Sequence, residues 1–176
     1  VADRALGLKM KVIAYDPFLT EEKALEIKVK KVELDELLKL SDVITLHVPL
    51  TDQTENIINR KSLKDCKDGV FIINCARGGL VNEEDLKDNL DSGKVAGAAI
   101  DVYEVEPAKE SIFFGMENVI CTPHLGASTL EAQENVALQV ADQMSDFLLT
   151  GAVSNAINMP SICLLYTSPS PRDSIR

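Results

Sequence analysis

Five short apolar runs, separated by helical or turn-rich stretches, are the feature that most constrains how this chain can fold. The runs occupy residues 11–15, 43–46, 70–73, 95–100 and 119–121. Runs that are apolar at consecutive positions are typical of parallel strands, because both faces of such strands are covered. Helices between successive strands allow each strand to run parallel to the one before it. The pattern therefore predicts an α/β fold built on a doubly wound parallel sheet.

The stretches between the runs show the spacing and the boundary residues of helices. Apolar residues recur at helical spacing over residues 1–8 and 33–40, and cap and stop residues mark two further helices over residues 82–92 and 128–149. Asn82 is a candidate N-cap for the third of these helices, and Gly93 is expected to end it. For the longest helix, Ser128 with Glu131 three residues later forms a capping-box pattern, and Gly151 is the expected stop.

The composition is that of a globular domain and argues against several partners. With 176 residues, 45% hydrophobic and 26% charged, the chain can bury a core of ordinary size. A formal net charge of -10 opposes binding to nucleic acid or to an anionic membrane surface. No apolar run reaches the roughly 20 residues that cross a bilayer, and the charged Asp3 and Arg4 do not fit an export signal. We therefore expect a cytoplasmic protein without membrane or nucleic-acid partners.

The cysteines and histidines limit the chemistry that the chain can support. Its four cysteines lie far apart and form no C-x-x-C pair, which favours reduced thiols over a zinc site or a disulfide framework. We accordingly expect no metal site. Only two histidines are present, so any histidine chemistry has to use His47 or His124.

Asp16 lies at the position of an acidic residue that helps to bind dinucleotides. In a dinucleotide-binding βαβ unit, such a residue ends the second strand about 20 positions after a glycine-rich loop and accepts hydrogen bonds from the adenosine ribose. The chain contains no G-x-G-x-x-G segment, so we expect that loop and the first strand to lie upstream of Val1. A carboxylate here would repel a 2′-phosphate, which favours NAD over NADP. The alternative is that Asp16 only forms a turn before Pro17.

An absent first strand has a consequence for the sheet. In the strand order 3-2-1-4-5-6 the first strand is central, so the remaining strands are expected to form a two-strand piece and a three-strand piece.

Three polar segments follow the last three predicted strands. They are NCARGG (residues 74–79), DVYEVEP (101–107) and TPHLGAST (122–129). Ligands of open α/β sheets bind at the carboxyl ends of the strands, so these segments are candidates for one site. Arginine can bind a substrate carboxylate through two hydrogen bonds, and a histidine beside a carboxylate can act as a general acid or base.

Each of these residues taken alone also has a structural explanation. Taken alone, each is better explained by structure: Arg77 as a surface charge before a Gly-Gly turn, Glu106 as a loop carboxylate before proline, and His124 as a residue at the start of a helix. Their joint position after successive strands favours a shared catalytic site.

The same segments closely resemble those of the D-2-hydroxyacid dehydrogenase family. KDGVFIINCARGGLVNEEDL (residues 67–86) is similar to the family's arginine motif, DVYEVEP to its glutamate motif and TPHLGAST to its histidine motif, and the resemblance covers residues 1–162. It implies a Rossmann-like domain and hydride transfer between NAD and C2 of a small 2-hydroxy acid. In that reaction Arg77 would bind the substrate carboxylate and the C2 oxygen, His124 would take the hydroxyl proton, and Glu106 would pair with His124 and keep it basic.

The resemblance also implies which residues contact the cofactor. Asp16 would bind the adenosine ribose, Val48 would border the adenosine, and a third group would surround the nicotinamide. This group comprises Cys75, Ala76, Arg77, Asp101, His124, Leu125, Gly126 and Ala127. His47 is expected to have a structural role.

Within the family, HLGASTLEAQENVALQVADQMSDFL with the later VSNAINMP is most similar to members that oxidise 3-phospho-D-glycerate at the entry to serine biosynthesis. Glyoxylate or hydroxypyruvate reduction is the alternative activity. An NAD(H)-sensing corepressor of the same fold is an alternative of another class. Relatives are commonly dimers or tetramers, so a homo-oligomer is expected.

The resemblance further implies how the chain is divided. Residues 1–152 would be a partial NAD-binding domain, and residues 153–162 would begin the segment that returns to a substrate domain. Residues 163–176 have no periodicity, are rich in serine and proline, and resemble translated adapter sequence, so we expect an unstructured tail. A natural flexible tail is the alternative.

Overall fold

The computed structural model of the protein describes residues 1–156. Its helices are α1 (Ala2–Gly7), α2 (Glu21–Glu26), α3 (Leu34–Leu40), α4 (Arg60–Asp65), α5 (Glu83–Asp91), α6 (Leu125–Ser128) and α7 (Leu130–Thr150). Its strands are β1 (Ile13–Ala14), β2 (Lys30–Lys31), β3 (Val43–Leu46), β4 (Val70–Asn74), β5 (Val95–Ile100) and β6 (Val119–Cys121). No helix among these residues is both long enough and apolar enough to cross a membrane.

The strands form two parallel sheets, which confirms the predicted α/β fold. One sheet pairs β1 with β2, and the other has the order β3-β4-β5-β6. All five predicted strands are present, and the division into two pieces is as expected. The larger piece has four strands, however, and the prediction of three was wrong.

The strand missing from the prediction is β2. It consists of two lysines between the buried Val29 and Val32, and it pairs with Ile13 and Ala14 of β1. Two lysines form no apolar run, so periodicity could not identify this strand. Backbone pairing with β1 is what defines it.

The core lies on one face of the four-stranded sheet. Leu38 of α3, Leu63 of α4 and Leu86 of α5 pack with Ile44 and Ile72 of the sheet, and all are buried. Burial alternates along β3 and β4, so the other face remains open. Exposed apolar residues on strands include Val43, Phe71 and Ile120. The expectation that both faces are covered was therefore wrong, because an apolar run does not specify which helices pack on it.

The helix ends follow local hydrogen bonding. Asn82 is the N-cap of α5, as predicted, and its side chain accepts a hydrogen bond from the Asp85 backbone N–H. The predicted cap of α7 was one residue early. Ser128 ends the short helix α6, whereas Thr129 has an extended backbone and its side chain accepts from the Ala132 N–H at 3.1 Å.

The described residues divide into two compact units, residues 1–126 and the residues from 127 onward. The first unit contains both sheets and helices α1 to α5. The second contains α7, which ends at Gly151 in a left-handed conformation, as predicted. The proposed tail of residues 163–176 lies outside the described residues.

Candidate active site

The three polar segments leave the sheet at the same edge. Asn74 at the end of β4 pairs with Ile100 at the end of β5, and Ile100 pairs with Cys121 at the end of β6. Because these strands are parallel, the loops that follow them start side by side. We name these loops the arginine loop (residues 75–79), the glutamate loop (101–107) and the histidine loop (122–126).

A histidine and a carboxylate meet across two of these loops. The Nδ1 atom of His124 lies 2.6 Å from Oε2 of Glu106, and the backbone N–H of Tyr103 donates to Oε1 of Glu106 at 3.0 Å. The hydrogen bond from His124 and then that from Tyr103 hold the pKa of the Glu106 carboxyl below its usual value. Glu106 is therefore ionised near neutral pH and faces the imidazole as an anion.

This contact also determines which imidazole nitrogen is basic in the neutral ring. A carboxylate can only accept a hydrogen bond, so the Nδ1 atom of His124 carries the proton that it shares with Glu106. In the neutral imidazole, Nε2 then holds the basic lone pair. The pair thus has the arrangement of an oriented general base.

The backbone of His124 is strained, and Asp101 lies next to the strain. His124 has a φ of 54°, in the left-handed region that non-glycine residues adopt infrequently. The buried Asp101 uses Oδ1 to accept from the Thr122 hydroxyl at 2.5 Å and from the Leu125 N–H at 2.8 Å, on either side of His124. Such strain persists only where the surrounding structure enforces it, and it is common at functional sites.

The ionisation of Asp101 agrees with this anchoring role. Burial alone would raise the pKa of the Asp101 carboxyl, but the hydrogen bonds from Thr122, Leu125 and Gly126 lower it overall. An ionised Asp101 accepts these donors more strongly than a protonated acid would. The histidine loop is consequently tied to the end of β5.

The arginine loop is shaped by Asn74. The buried side chain of Asn74 donates to the Arg77 carbonyl at 2.9 Å and accepts from the Ala76 N–H at 3.1 Å. Cys75 is exposed at the start of this loop, and burial followed by the nearby Asp101 charge raises the pKa of its thiol. The Arg77 side chain is exposed, and its guanidinium donates to the Ala76 carbonyl at 2.6 Å.

The structure brings the arginine and glutamate loops together through their backbones. A Cβ atom placed on Gly78 would overlap the carbonyl group of Tyr103, so only glycine allows this approach. Glu106 and His124 are in direct contact, whereas the hydrogen bond described for the Arg77 guanidinium stays within its own loop. Arg77 therefore shares the sheet edge with the pair without being bonded to it.

The remaining predicted residues occupy several places in the fold. Asp16 is exposed just after β1, and its Oδ1 accepts from the Phe18 N–H at 2.7 Å in a turn. This turn agrees with the structural explanation of Asp16 and leaves a ribose contact untested. Val48 follows β3 and packs against the core. Leu125 and Gly126 begin α6 and are exposed. Ala127 belongs to the second unit, and the environment of its side chain is not described.

His47 lies outside the His124–Glu106 pair. It is exposed after β3, and its Nε2 lies 3.0 Å from the Thr45 hydroxyl. Within residues 1–156, no three His, Cys, Asp or Glu side chains are grouped so that they could hold a metal ion.

Sequence reasoning did not assign roles to four residues that shape the site. They are Asn74, Glu83, Tyr103 and Thr122. All four lie inside the quoted motifs. Asn74 and Thr122 are polar residues at strand ends, which is a usable signal, whereas the partners of Glu83 and Tyr103 in the other loops are distant in sequence.

The polar side chains after β1 and at the edge of the larger sheet suit the two ends of NAD. An exposed carboxylate follows β1, and such a group accepts hydrogen bonds from ribose hydroxyls. At the other sheet, the His124–Glu106 pair has the chemistry of a base and the exposed Arg77 is a cation, which are the groups that a hydroxy acid beside a nicotinamide would need. The residues present therefore fit this cofactor chemically.

Known proteins resemble this chain in both structure and sequence. A glyoxylate reductase structure from Paecilomyes thermophila matches with a TM-score of 0.80 and 37% identity, covering 90% of this chain and 48% of its own. D-3-phosphoglycerate dehydrogenase of Bacillus subtilis is 46% identical over 162 residues, 92% of this chain and 31% of the relative. Hydroxypyruvate reductase of Thermotoga maritima is 49% identical over 147 residues, 82% of this chain and 47% of the relative.

The coverage differs between these relatives. The chain spans about a third of the Bacillus subtilis dehydrogenase and about half of the other two proteins. The sequence model of the family described as "D-isomer specific 2-hydroxyacid dehydrogenase, NAD binding domain" matches residues 1–126, more than half of the chain. The chain therefore belongs to the D-isomer specific 2-hydroxyacid dehydrogenase family and contributes to its NAD-binding domain.

Proposed function

We propose that the protein containing this chain oxidises 3-phospho-D-glycerate to 3-phosphohydroxypyruvate with NAD, the first step of serine biosynthesis. The observation that carries the proposal is the 2.6 Å contact between His124 and Glu106 at the sheet edge that also holds the Arg77 loop. When bound there, NAD accepts a hydride from C2 of the substrate.

The chain's own residues supply the proton chemistry and the substrate orientation. Nε2 of His124 takes the hydroxyl proton as the C2–O bond becomes a carbonyl, and the C2 hydrogen leaves with both electrons of its bond as a hydride. Glu106 stabilises the imidazolium that results. Arg77 binds the substrate carboxylate and the C2 oxygen. This role requires its guanidinium to leave the Ala76 carbonyl, which an exposed side chain can do.

The cofactor contacts are assigned in the same way. Asp16 binds the adenosine ribose through its carboxylate, and Val48 borders the adenosine. The nicotinamide end lies against Cys75, Ala76, Arg77, Asp101, His124, Leu125, Gly126 and Ala127. The support for the second group is that all of them except Ala127 lie in the loops at one edge of the four-stranded sheet.

The choice of 3-phosphoglycerate is supported by sequence similarity. Phosphoglycerate dehydrogenases of Bacillus subtilis and Archaeoglobus fulgidus are 46% and 47% identical to this chain over 92% of its length. We also propose a homo-oligomer, as the resemblance to the family implies. The formal charge of -10 supports a cytoplasmic location away from anionic surfaces.

A second candidate is reduction of glyoxylate or hydroxypyruvate. It is favoured by the 49% identity to the Thermotoga maritima hydroxypyruvate reductase and by the structural match to a glyoxylate reductase. The same residues serve this reaction in reverse, with His124 donating the proton to the carbonyl oxygen.

The test is a substrate comparison with the full-length enzyme, following NADH absorbance. We expect kcat/KM for 3-phosphoglycerate oxidation to exceed that for D-glycerate, and phosphohydroxypyruvate reduction to exceed glyoxylate and hydroxypyruvate reduction. Preference for glyoxylate or hydroxypyruvate would establish the second candidate instead. NADH binding without turnover of any of these acids would contradict both and favour a sensing protein.

A further inference from the structure

Glu83, the first residue of α5, reaches the glutamate loop from a helix outside the three loops. Its Oε1 accepts a hydrogen bond from the backbone N–H of Glu104 at 3.2 Å. Glu83 is partly buried, and this burial raises the pKa of its carboxyl while the Glu104 N–H opposes the shift. A partly desolvated carboxylate gains more from a hydrogen bond than an exposed one does.

The peptide group that contacts Glu83, between residues 103 and 104, lies where the arginine loop meets the glutamate loop. The Glu104 N–H belongs to the same peptide as the Tyr103 carbonyl, which lies against Gly78 of the arginine loop. One residue earlier, the Tyr103 N–H donates to Glu106, and Glu106 contacts His124. A displacement of this peptide would therefore move Glu106 relative to both Arg77 and His124.

The Tyr103 side chain also contacts the histidine loop. Its hydroxyl donates to the Thr122 carbonyl at 3.1 Å and to the Ile100 carbonyl at 3.3 Å, and its ring contacts Phe114 edge-on. Tyr103 is buried, so its ring is fixed by packing as well. Backbone and side chain of one residue thus connect all three loops.

We propose that Glu83 is a positioning residue, which clamps the 103–104 peptide through the Glu104 N–H and so holds Glu106 against His124 in register with the arginine loop. Glu83 acts through Glu106 and does not touch the substrate. The inference rests on the proposed dehydrogenase function for its kinetic consequence but not for its geometry.

The neighbouring Glu84 provides a matched control. Both glutamates lie in the first turn of α5, where a negative charge interacts favourably with the helix dipole. Glu84, however, is exposed, whereas Glu83 is partly buried. Loss of a helix-dipole interaction would affect Glu83→Ala and Glu84→Ala alike. Loss of the clamp would affect only Glu83→Ala. Glu83→Gln retains an oxygen that accepts from the Glu104 N–H, so it should restore most of the function.

The kinetic test uses these three variants in the full-length enzyme. We expect Glu83→Ala to lower kcat by about 10- to 100-fold with KM for NAD nearly unchanged, because small misplacements of catalytic groups have effects of this size. Glu84→Ala and Glu83→Gln should stay close to the wild type. In a Glu106→Gln background, Glu83→Ala should add little, because Glu83 is proposed to act only through the charged Glu106–His124 pair, which Glu106→Gln already removes. Equal losses in Glu83→Ala and Glu84→Ala, or fully additive losses with Glu106→Gln, would overturn the proposal.

A second measurement does not depend on activity. The Nδ1 proton of His124 should give a downfield signal in the proton NMR spectrum, identified by its loss in His124→Ala. We expect that signal to shift or broaden in Glu83→Ala and to persist in Glu84→Ala and Glu83→Gln. An unchanged signal in Glu83→Ala would overturn the clamp. If the wild type oxidised no 2-hydroxy acid but the signal changed as expected, the proposed function would fail and the clamp would stand.

Discussion

At the scale of single residues, the chemistry depends on charged side chains whose orientations are fixed by hydrogen bonds. Glu106 is held by His124 on one oxygen and by the Tyr103 N–H on the other. Asp101 is held by donors on both sides of His124. Each carboxylate is therefore held in one orientation, and the Glu106 contact makes Nε2 the basic nitrogen of the neutral imidazole.

The first prediction concerns the proposed general base. In the full-length enzyme, His124→Ala should lower turnover by about 10² to 10⁴ and leave NADH affinity nearly intact, the usual range for loss of a general acid or base. Steady-state rates and NADH fluorescence titration measure the two quantities. His47→Ala serves as the matched control, and its turnover should equal that of the wild type. Equal losses of rate and NADH affinity would identify His124 as a structural residue.

The second prediction concerns acid stability. Because the pKa of Glu106 is lowered in the folded protein, its carboxylate stabilises the fold above its usual pKa. That stabilisation is lost as the pH falls through the lowered folded-state value. The difference in free energy of unfolding between wild type and Glu106→Gln should therefore be largest near neutral pH and shrink in acid. Urea denaturation across a pH series measures it, and a difference that grows in acid would contradict the assignment.

A third prediction concerns cofactor choice. Asp16→Ala in the full-length enzyme should weaken NAD binding and improve the use of NADP relative to NAD. The reason is that the carboxylate both accepts hydrogen bonds from the ribose and repels a 2′-phosphate. The ratio of kcat/KM for the two cofactors measures this preference. Asp35→Ala changes another exposed aspartate, in α3, and should leave the ratio unchanged. If the ratio does not move in Asp16→Ala either, Asp16 serves only its turn with Phe18.

At the scale of elements, the site depends on loops that are attached to strand ends and helix starts. β4, β5 and β6 deliver three loops to one edge, and α5 follows directly from the arginine loop. The start of α5 therefore sets where Glu83 lies, and its N-cap Asn82 becomes part of the support of the site.

This attachment leads to a prediction for Asn82. Asn82→Ala should destabilise the protein by about 1 kcal/mol, since the Asp85 N–H loses its side-chain acceptor. Asn82→Asp keeps an acceptor at the same position and should remain within a few tenths of a kcal/mol of the wild type. Chemical denaturation of both variants gives the two values. Equal destabilisation by alanine and aspartate would show that Asn82 does more than cap α5.

At the scale of the whole molecule, the two sheets share no strand pair among residues 1–156. β1 pairs only with β2, and β3 pairs only with β4, so both strands of the small sheet and strands β3 and β6 of the larger sheet present edges that lack a neighbouring strand. Unpaired edges expose backbone donors and acceptors and favour association with other chains. A dinucleotide also needs a glycine loop and helix start for its pyrophosphate, and the sequence contains no G-x-G-x-x-G segment.

We therefore predict weak NAD binding by residues 1–156 expressed alone. Their thermal melt should be broad, should not shift with NAD, and should be accompanied by self-association in sedimentation. A version extended by the strand and glycine loop of a relative should melt cooperatively and be stabilised by NAD, by about 2.7 kcal/mol at a hundredfold excess over Kd. A cooperative, NAD-dependent melt of residues 1–156 alone would contradict this reasoning.

The sequence by itself determined most of the strands and named the candidates for the reacting groups. Apolar runs predicted five of the strands because consecutive burial leaves a direct trace in composition. Charged residues after strand ends predicted Arg77, Glu106 and His124 because parallel strands bring their carboxyl ends to one edge. Asn82 and Gly151 were identifiable because capping is a local interaction.

Tertiary structure alone decided the features that depend on partners distant in sequence. β2 exists because β1 pairs with it, and one sheet face is open because helices cover only the other. The positive φ of His124 and the roles of Tyr103 and Glu83 follow from contacts between loops. Such contacts leave no periodic pattern in the sequence, since they join residues up to about 20 positions apart through backbone groups that every residue carries.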